Sequence, residues 1–133
     1  MTDRYDRQPL ARKAASSIPY SPGLRVGDTI HVSGTIGRAP DGDLPADVGE
    51  QFRQLYRNIA TVLAEAGATW ADVVEMTSYH VGLRAHIETL FAVHREFVGE
   101  PYPAWTAVGV TELLSPDAVL EISVTAVSSA KRG

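Results

Sequence analysis

The amino-acid sequence predicts an α+β fold in which a β-sheet carries two amphipathic helices on one face. Three observations lead there. Apolar and polar residues alternate from Asp28 to Ile36 and from Val119 to Val127, the period of strands with one buried face. Two other stretches repeat their apolar residues every three or four positions, the period of helices with one buried stripe. Proline and glycine clusters separate these stretches, and 133 residues suffice for one hydrophobic core but not two.

In chain order, Ile30, Val32 and Ile36 alternate with Thr29, His31, Ser33 and Thr35 in the first strand, and Gly42 lies in the turn beyond it. Val48, Phe52, Leu55, Ile59, Val62, Leu63 and Ala66 then form a helical stripe. Asp47 is placed as its N-cap, Glu50 three residues on suggests a capping box, and Gly67 lies past its end. From Val73 to Val81 both parities carry apolar residues, which predicts a strand covered on both faces. Helical spacing returns with Ile87, Leu90, Phe91, His94 and Phe97 and stops at Gly99 and Pro101. Strands at 104–110 and 119–127 close the chain, the latter with Leu120, Ile122, Val124 and Ala126 on one side. Each helical stripe must be buried, so both helices are expected on the same sheet face. The opposite face is expected to carry Trp105, Ala107 and Gly109 with Glu121, Ser123, Thr125 and Val127, a mixture apolar enough to favour self-association. Residues 1–17 read as a polar tail or edge segment, and 18–133 as a single domain.

Composition narrows the function classes. A formal charge of −4 without a basic stripe argues against nucleic acid or anionic membrane as partner. The absence of cysteine excludes disulfides, thiolate nucleophiles and cysteine-ligated zinc. No stretch reaches the roughly 20 apolar residues of a membrane helix and no secretory signal is evident, so cytoplasm is the expected location. His31, His80, His86 and His94 lack the spacing of a zinc hydrolase, and each reads first as a surface or hydrogen-bonded histidine; no metal is expected. Neither a nucleophile elbow around Ser33 nor a phosphate-loop lysine between Gly37 and Gly42 is present.

Several short motifs occur in a telling succession: Pro19-Tyr20-Ser21, Val32-Ser33-Gly34, the helix from Gln51 to Leu63 ending in Ala64-Glu65-Ala66-Gly67-Ala68, Asp72-Val73-Val74, Pro103-Ala104 and Leu120-Glu121-Ile122. Together they resemble the Rid (YjgF-type, endoribonuclease L-PSP-like) superfamily from Ile18 to Val127. That resemblance implies a chorismate-mutase-like fold with a mixed sheet of about six strands, and a homotrimer built around a central β-barrel. It also implies small-molecule clefts between subunits and no metal or organic cofactor. The best-known members hydrolyse reactive enamines and imines. Carried over by motif, Glu121 is the carboxylate that positions water or moves a proton. Tyr20, Ser33, Gly34, Trp105, Thr106 and Ala107 are then expected to shape the cleft, with Ala107 standing where many members have cysteine.

Trp105 departs from the family pattern, because it occupies the position of the arginine that clamps the substrate carboxylate in deaminating members. An indole offers an apolar face and one N–H donor, whereas a guanidinium offers a charged planar fork. Losing such a charged partner costs on the order of a hundredfold in binding or rate, which disfavours small 2-imino acids as substrates. Arg38 or Arg25 could replace the cation only by reaching the cleft. Other readings remain beside this one. Glu121 alone reads as a solvated carboxylate, Tyr20 as a turn residue, Ser33-Gly34 as a strand bend, and Trp105 as interface core. The leading expectation is a hydrolase of an imine, enamine or related electrophile that is aromatic, bulky or lacks the usual carboxylate. Its alternatives are a non-catalytic ligand-binding or regulatory trimer and, last, a ribonuclease or translation inhibitor, which the acidic balance opposes.

Overall fold

The computed structural model describes residues 6–12 and 17–129. Strands Arg7–Leu10 (β1), Gly23–Val26 (β2), Thr29–Thr35 (β3), Val73–His80 (β4), Ala104–Gly109 (β5) and Leu120–Val127 (β6) form one mixed sheet in the order β1-β2-β3-β6-β4-β5. Neighbours are antiparallel except β4 and β5, which run parallel with α2, Leu83–Phe97, between them in sequence. The other long helix, α1, spans Val48–Glu65. Of the 1–17 segment, residues 1–5 and 13–16 lie outside the described residues, and Arg7–Leu10 is the edge strand β1.

Two of the six strands escape sequence periodicity because β1 and β2 are four residues each, too short to display a period. What creates β2 is its hairpin with β3. Val26 faces Thr29 across the two-residue loop Gly27-Asp28, and Gly27 has φ 59°. Only glycine takes that conformation cheaply at the first central position of a type II′ turn.

Helix α1 begins where Asp47 accepts a hydrogen bond from the Glu50 amide at 2.9 Å. The Glu50 carboxylate does not complete a capping box. It turns outward to Arg53, which also holds Glu96 of α2, so one exposed guanidinium joins the two helices. Past the C-cap Ala66, Gly67 takes φ 76°, the left-handed turn that ends the helix. Phe52, Leu55, Tyr56, Ile59 and Leu63 are fully buried with Ile30, Val32, Leu120, Ile122 and Val124 of the sheet, and Leu90 and Val93 of α2 close the same core. Both helices therefore cover one sheet face, as the stripes require.

Two expectations about faces are overturned. Strand β4 is not covered on both sides: Met76, Ser78 and His80 are buried toward the helices, while Val74 and Glu75 are exposed and Thr77 and Tyr79 only half-buried. Ser78 and His80 bond each other under the helices, so the buried parity looks as polar in sequence as the open one. Nor do Trp105, Ala107 and Gly109 share the face of Glu121. Parallel pairing sets Trp105 beside Met76, Ala107 beside Ser78 and Gly109 beside His80, on the helix side. The open face instead carries His31, Glu75, Thr77, Tyr79, Thr106, Val108, Glu121, Ser123, Thr125 and Val127.

Candidate functional site

The sequence-predicted residues fall into two groups on opposite sides of the sheet. Around the end of β3, Tyr20, Ser33, Gly34 and Glu121 come together. Between Val32 and Thr35 the pairing of β3 with β6 slips by a bulge, which brings Gly34 against Glu121. A Cβ at Gly34 would collide with the Glu121 carboxylate, so the glycine keeps clear the space that this half-exposed side chain occupies. Ser33 spends its hydroxyl on the Ser21 carbonyl at 2.6 Å, and its amide on the Pro22 carbonyl at 2.9 Å, pinning the Tyr20 loop to β3. Tyr20 is half exposed and lines, with Gly34, Thr35, Arg38 and Asn58, an open groove of about 460 Å³.

Tyr79, which sequence reasoning missed, stands directly across from Glu121 in the β4–β6 register. Cross-strand partners on one face lie within side-chain reach, so the phenol flanks the carboxylate. The signal was hidden by the uncertain orientation of β4. Thr106 also projects on the open face, but from β5, two strands away from Glu121.

Arg25 is excluded as a substitute cation. It is buried, and its three nitrogens donate to the carbonyls of Gly27, Ala66 and Ser128 at 2.9, 2.6 and 2.6 Å, at the Thr29 end of β3 away from Gly34. Arg38 does reach the groove. It is exposed and bonds the Gly42 carbonyl and the Ser115 hydroxyl.

The second group lies under the helices. The Trp105 indole N–H donates to the Ser78 hydroxyl at 2.8 Å, and that hydroxyl lies 2.7 Å from His80 Nε2. Having accepted from the indole, the hydroxyl leaves fewest unpaired groups by donating to His80. The Trp105 ring lies over His94 with centroids 4.8 Å apart and meets the Phe91 edge at 5.6 Å. Beneath it, the Tyr56 hydroxyl and His94 Nδ1 are 2.7 Å apart. Tyr56 in turn stacks on Trp70 at 4.6 Å. Burial pushes the Tyr56 phenol far above its ordinary value, and its proton is best used in a bond to His94 Nδ1. Burial, reinforced by Arg95, holds His94 below the usual imidazole value, and burial, reinforced by His86, does the same for His80. Both rings are therefore neutral, and among the described residues each keeps one buried nitrogen without a partner, Nε2 of His94 and Nδ1 of His80. Phe91, His94, Arg95, Tyr102 and Trp105 line a mainly apolar cavity of about 170 Å³. It shares no residue with the Tyr20–Gly34 groove. Among the described residues no group of three or more histidines and acids could hold a metal ion, and no helix is long and apolar enough to cross a membrane.

The sequence pattern of the family described as endoribonuclease L-PSP matches residues 11–128. The chain belongs to this family. As a Rid-superfamily chain it is 41% identical to the RutC family protein YjgH of Escherichia coli K12 over 104 residues, 77% of this chain and 79% of that protein. It is 30% identical to the 2-iminobutanoate/2-iminopropanoate deaminase of Dermatophagoides farinae over 97 residues, 71% of this chain and 75% of that one. Among solved Rid-type structures, E. coli TdcF with bound serine superimposes with a TM-score of 0.82 at 30% identity, covering 92% of this chain and 99% of that chain. The two-helix, six-strand architecture is thus the family's own.

Proposed function

We propose that this Rid-family chain is a cofactor-independent hydrolase of reactive imines or enamines, working in a cleft that two subunits of a homotrimer build together. The observation that carries the reading is the half-exposed Glu121 carboxylate, packed against Gly34, which also lines the Tyr20 groove, with Tyr79 as its cross-strand partner. A carboxylate so placed accepts a hydrogen bond from water and directs its oxygen at the imine carbon. As the C–O bond forms, Glu121 takes one proton from the water and delivers it to the nitrogen. The carbinolamine then collapses: its hydroxyl proton passes by way of Glu121 to the nitrogen, the C–N bond breaks, and a carbonyl compound and ammonia leave; an enamine first tautomerises to the imine. The deaminase name of the D. farinae relative and the serine bound by TdcF support a small nitrogen-bearing substrate.

The faces support a shared cleft. Glu121 and Trp105 lie on opposite sides of one sheet, so a pocket containing both takes one from each of two neighbouring chains. Support comes from the uncovered side of the subunit, where Val108 and Val127 are exposed on the open face and β5 is, among the described residues, an unpaired edge. With tryptophan at the carboxylate-clamp position, the substrate is aromatic or bulky. The test supplies 2-imino acids generated in situ by an amino-acid oxidase and measures carbonyl release. Phenylalanine-derived imine is expected to be hydrolysed faster than 2-iminobutanoate, with loss of on the order of a hundredfold in Glu121→Gln. Equal rates with and without Glu121 would refute the reading.

The Trp105 replacement itself favours a second reading, a ligand-binding trimer without turnover. Ligand-induced change in Trp105 fluorescence with no catalysed rate on any imine supports that alternative.

A further inference from the structure

The cavity beside Trp105 has features that the proposed chemistry at Glu121 does not use. Its walls are the rings of Phe91, His94, Tyr102 and Trp105, with Arg95 at its margin. Its volume of about 170 Å³ is close to that of an engineered apolar cavity, about 150 Å³, known to hold benzene, so it suits one six-membered ring. Two polar features make it more than a packing gap. Arg95 is exposed and makes no hydrogen bond or ion pair among the described residues, while its neighbour Glu96 is held by Arg53. His94 is 4% exposed, and with Nδ1 turned to Tyr56 its Nε2–H has no acceptor among the described residues. His94 meets the cavity through its ring, beside that of Trp105.

We infer that this cavity takes a single aromatic ring bearing a carboxylate, with Arg95 as its anion anchor. The cation missing at position 105 is thus supplied from the last turn of α2, one helical turn beyond Phe91, and the substrate class becomes an aryl-substituted 2-imino acid or its keto acid product. This substrate assignment rests on the hydrolase reading above. Binding itself depends on the cavity alone.

The experiment is isothermal titration of the full chain with phenylacetate, with phenylacetamide as the uncharged isostere and isobutyrate as the carboxylate without a ring. Phenylacetate is expected to bind at least about tenfold tighter than either control. Arg95→Gln, at an exposed position where the fold is not at stake, should weaken phenylacetate about tenfold and leave phenylacetamide within about twofold. Trp105→Phe, which keeps a ring in place, should weaken both aromatic ligands and leave isobutyrate unchanged. Failure of phenylacetate to bind, indifference of its affinity to Arg95→Gln, or equal binding of isobutyrate overturns the inference. Loss of all hydrolysis with this binding pattern intact removes the hydrolase reading and leaves the binding site standing.

Discussion

Replacing Gly34 by alanine separates folding from chemistry. Gly34 has no positive φ, so its backbone conformation accepts a side chain. Each of the three nearest atoms that the new methyl would meet belongs to the Glu121 side chain, from Cγ to Oε2. Because that side chain is half-exposed and flexible at its tip, it can yield by changing rotamer, at about 0.5–1.5 kcal/mol. Against this, removing a glycine restricts the unfolded chain and stabilises by about 0.4–1 kcal/mol. The two effects nearly cancel, and stability should change by less than about 1 kcal/mol. The carboxylate, however, must move by about the length of the clash, and a displacement near 1 Å at a reacting group costs on the order of a hundredfold in rate. Urea denaturation and imine hydrolysis measured on the same preparation give both numbers. Full activity in Gly34→Ala would show that the position of Glu121 does not matter and would refute the assignment.

Other substitutions test other parts of the account. Trp105→Arg restores a planar cation at the clamp position and should raise hydrolysis of 2-iminobutanoate by about tenfold or more; a native protein that already matches the variant contradicts the role given to tryptophan. Tyr56→Phe removes the hydroxyl from buried His94 and should cost about 1–3 kcal/mol in denaturant unfolding, whereas a neutral result would mean that the pair is not bonded. Burial keeps His80 and His94 neutral, so the unfolded chain binds protons that the folded chain refuses. Their contribution is complete above the ordinary imidazole value of about 6.5 and declines as pH falls below it, by at most about 1.4 kcal/mol per pH unit for each ring. Thermal melts from pH 8 to pH 5 should show the decline, and His94→Gln should flatten it.

Much of the architecture was legible because long amphipathic elements announce themselves. Helix α1 has both its cap and its stop in the sequence, and β6 alternates cleanly, with Leu120, Ile122, Val124 and Ala126 buried. Faces were legible only where polarity tracks burial. In β4, Ser78 and His80 are buried with the Ser78 hydroxyl paired to both His80 Nε2 and the Trp105 indole, which inverts the usual reading of polar as outward. In β5 neither parity is distinctively apolar, and its orientation comes from parallel pairing with β4, which local sequence does not encode. The candidate site divides along the same line. Tyr20, Ser33, Gly34 and Glu121 were recognisable from motifs and cluster in space. Tyr79 and Arg95 carry no motif and become visible only through cross-strand register and helix packing. Arg25, a plausible cation in sequence, is committed to three backbone carbonyls.

If one pocket draws Glu121 and Trp105 from different chains, two defective variants mixed in one assembly complement each other. Glu121→Gln and Trp105→Ala preparations, each impaired alone, are unfolded together in denaturant, refolded as a mixture and assayed for hydrolysis of the phenylalanine-derived imine. In a closed ring of randomly mixed subunits about a quarter of the shared pockets receive an intact residue from both neighbours, so the mixture should recover roughly that fraction of native activity. A mixture no more active than the mean of its two parents would place the whole site within one chain and contradict the account.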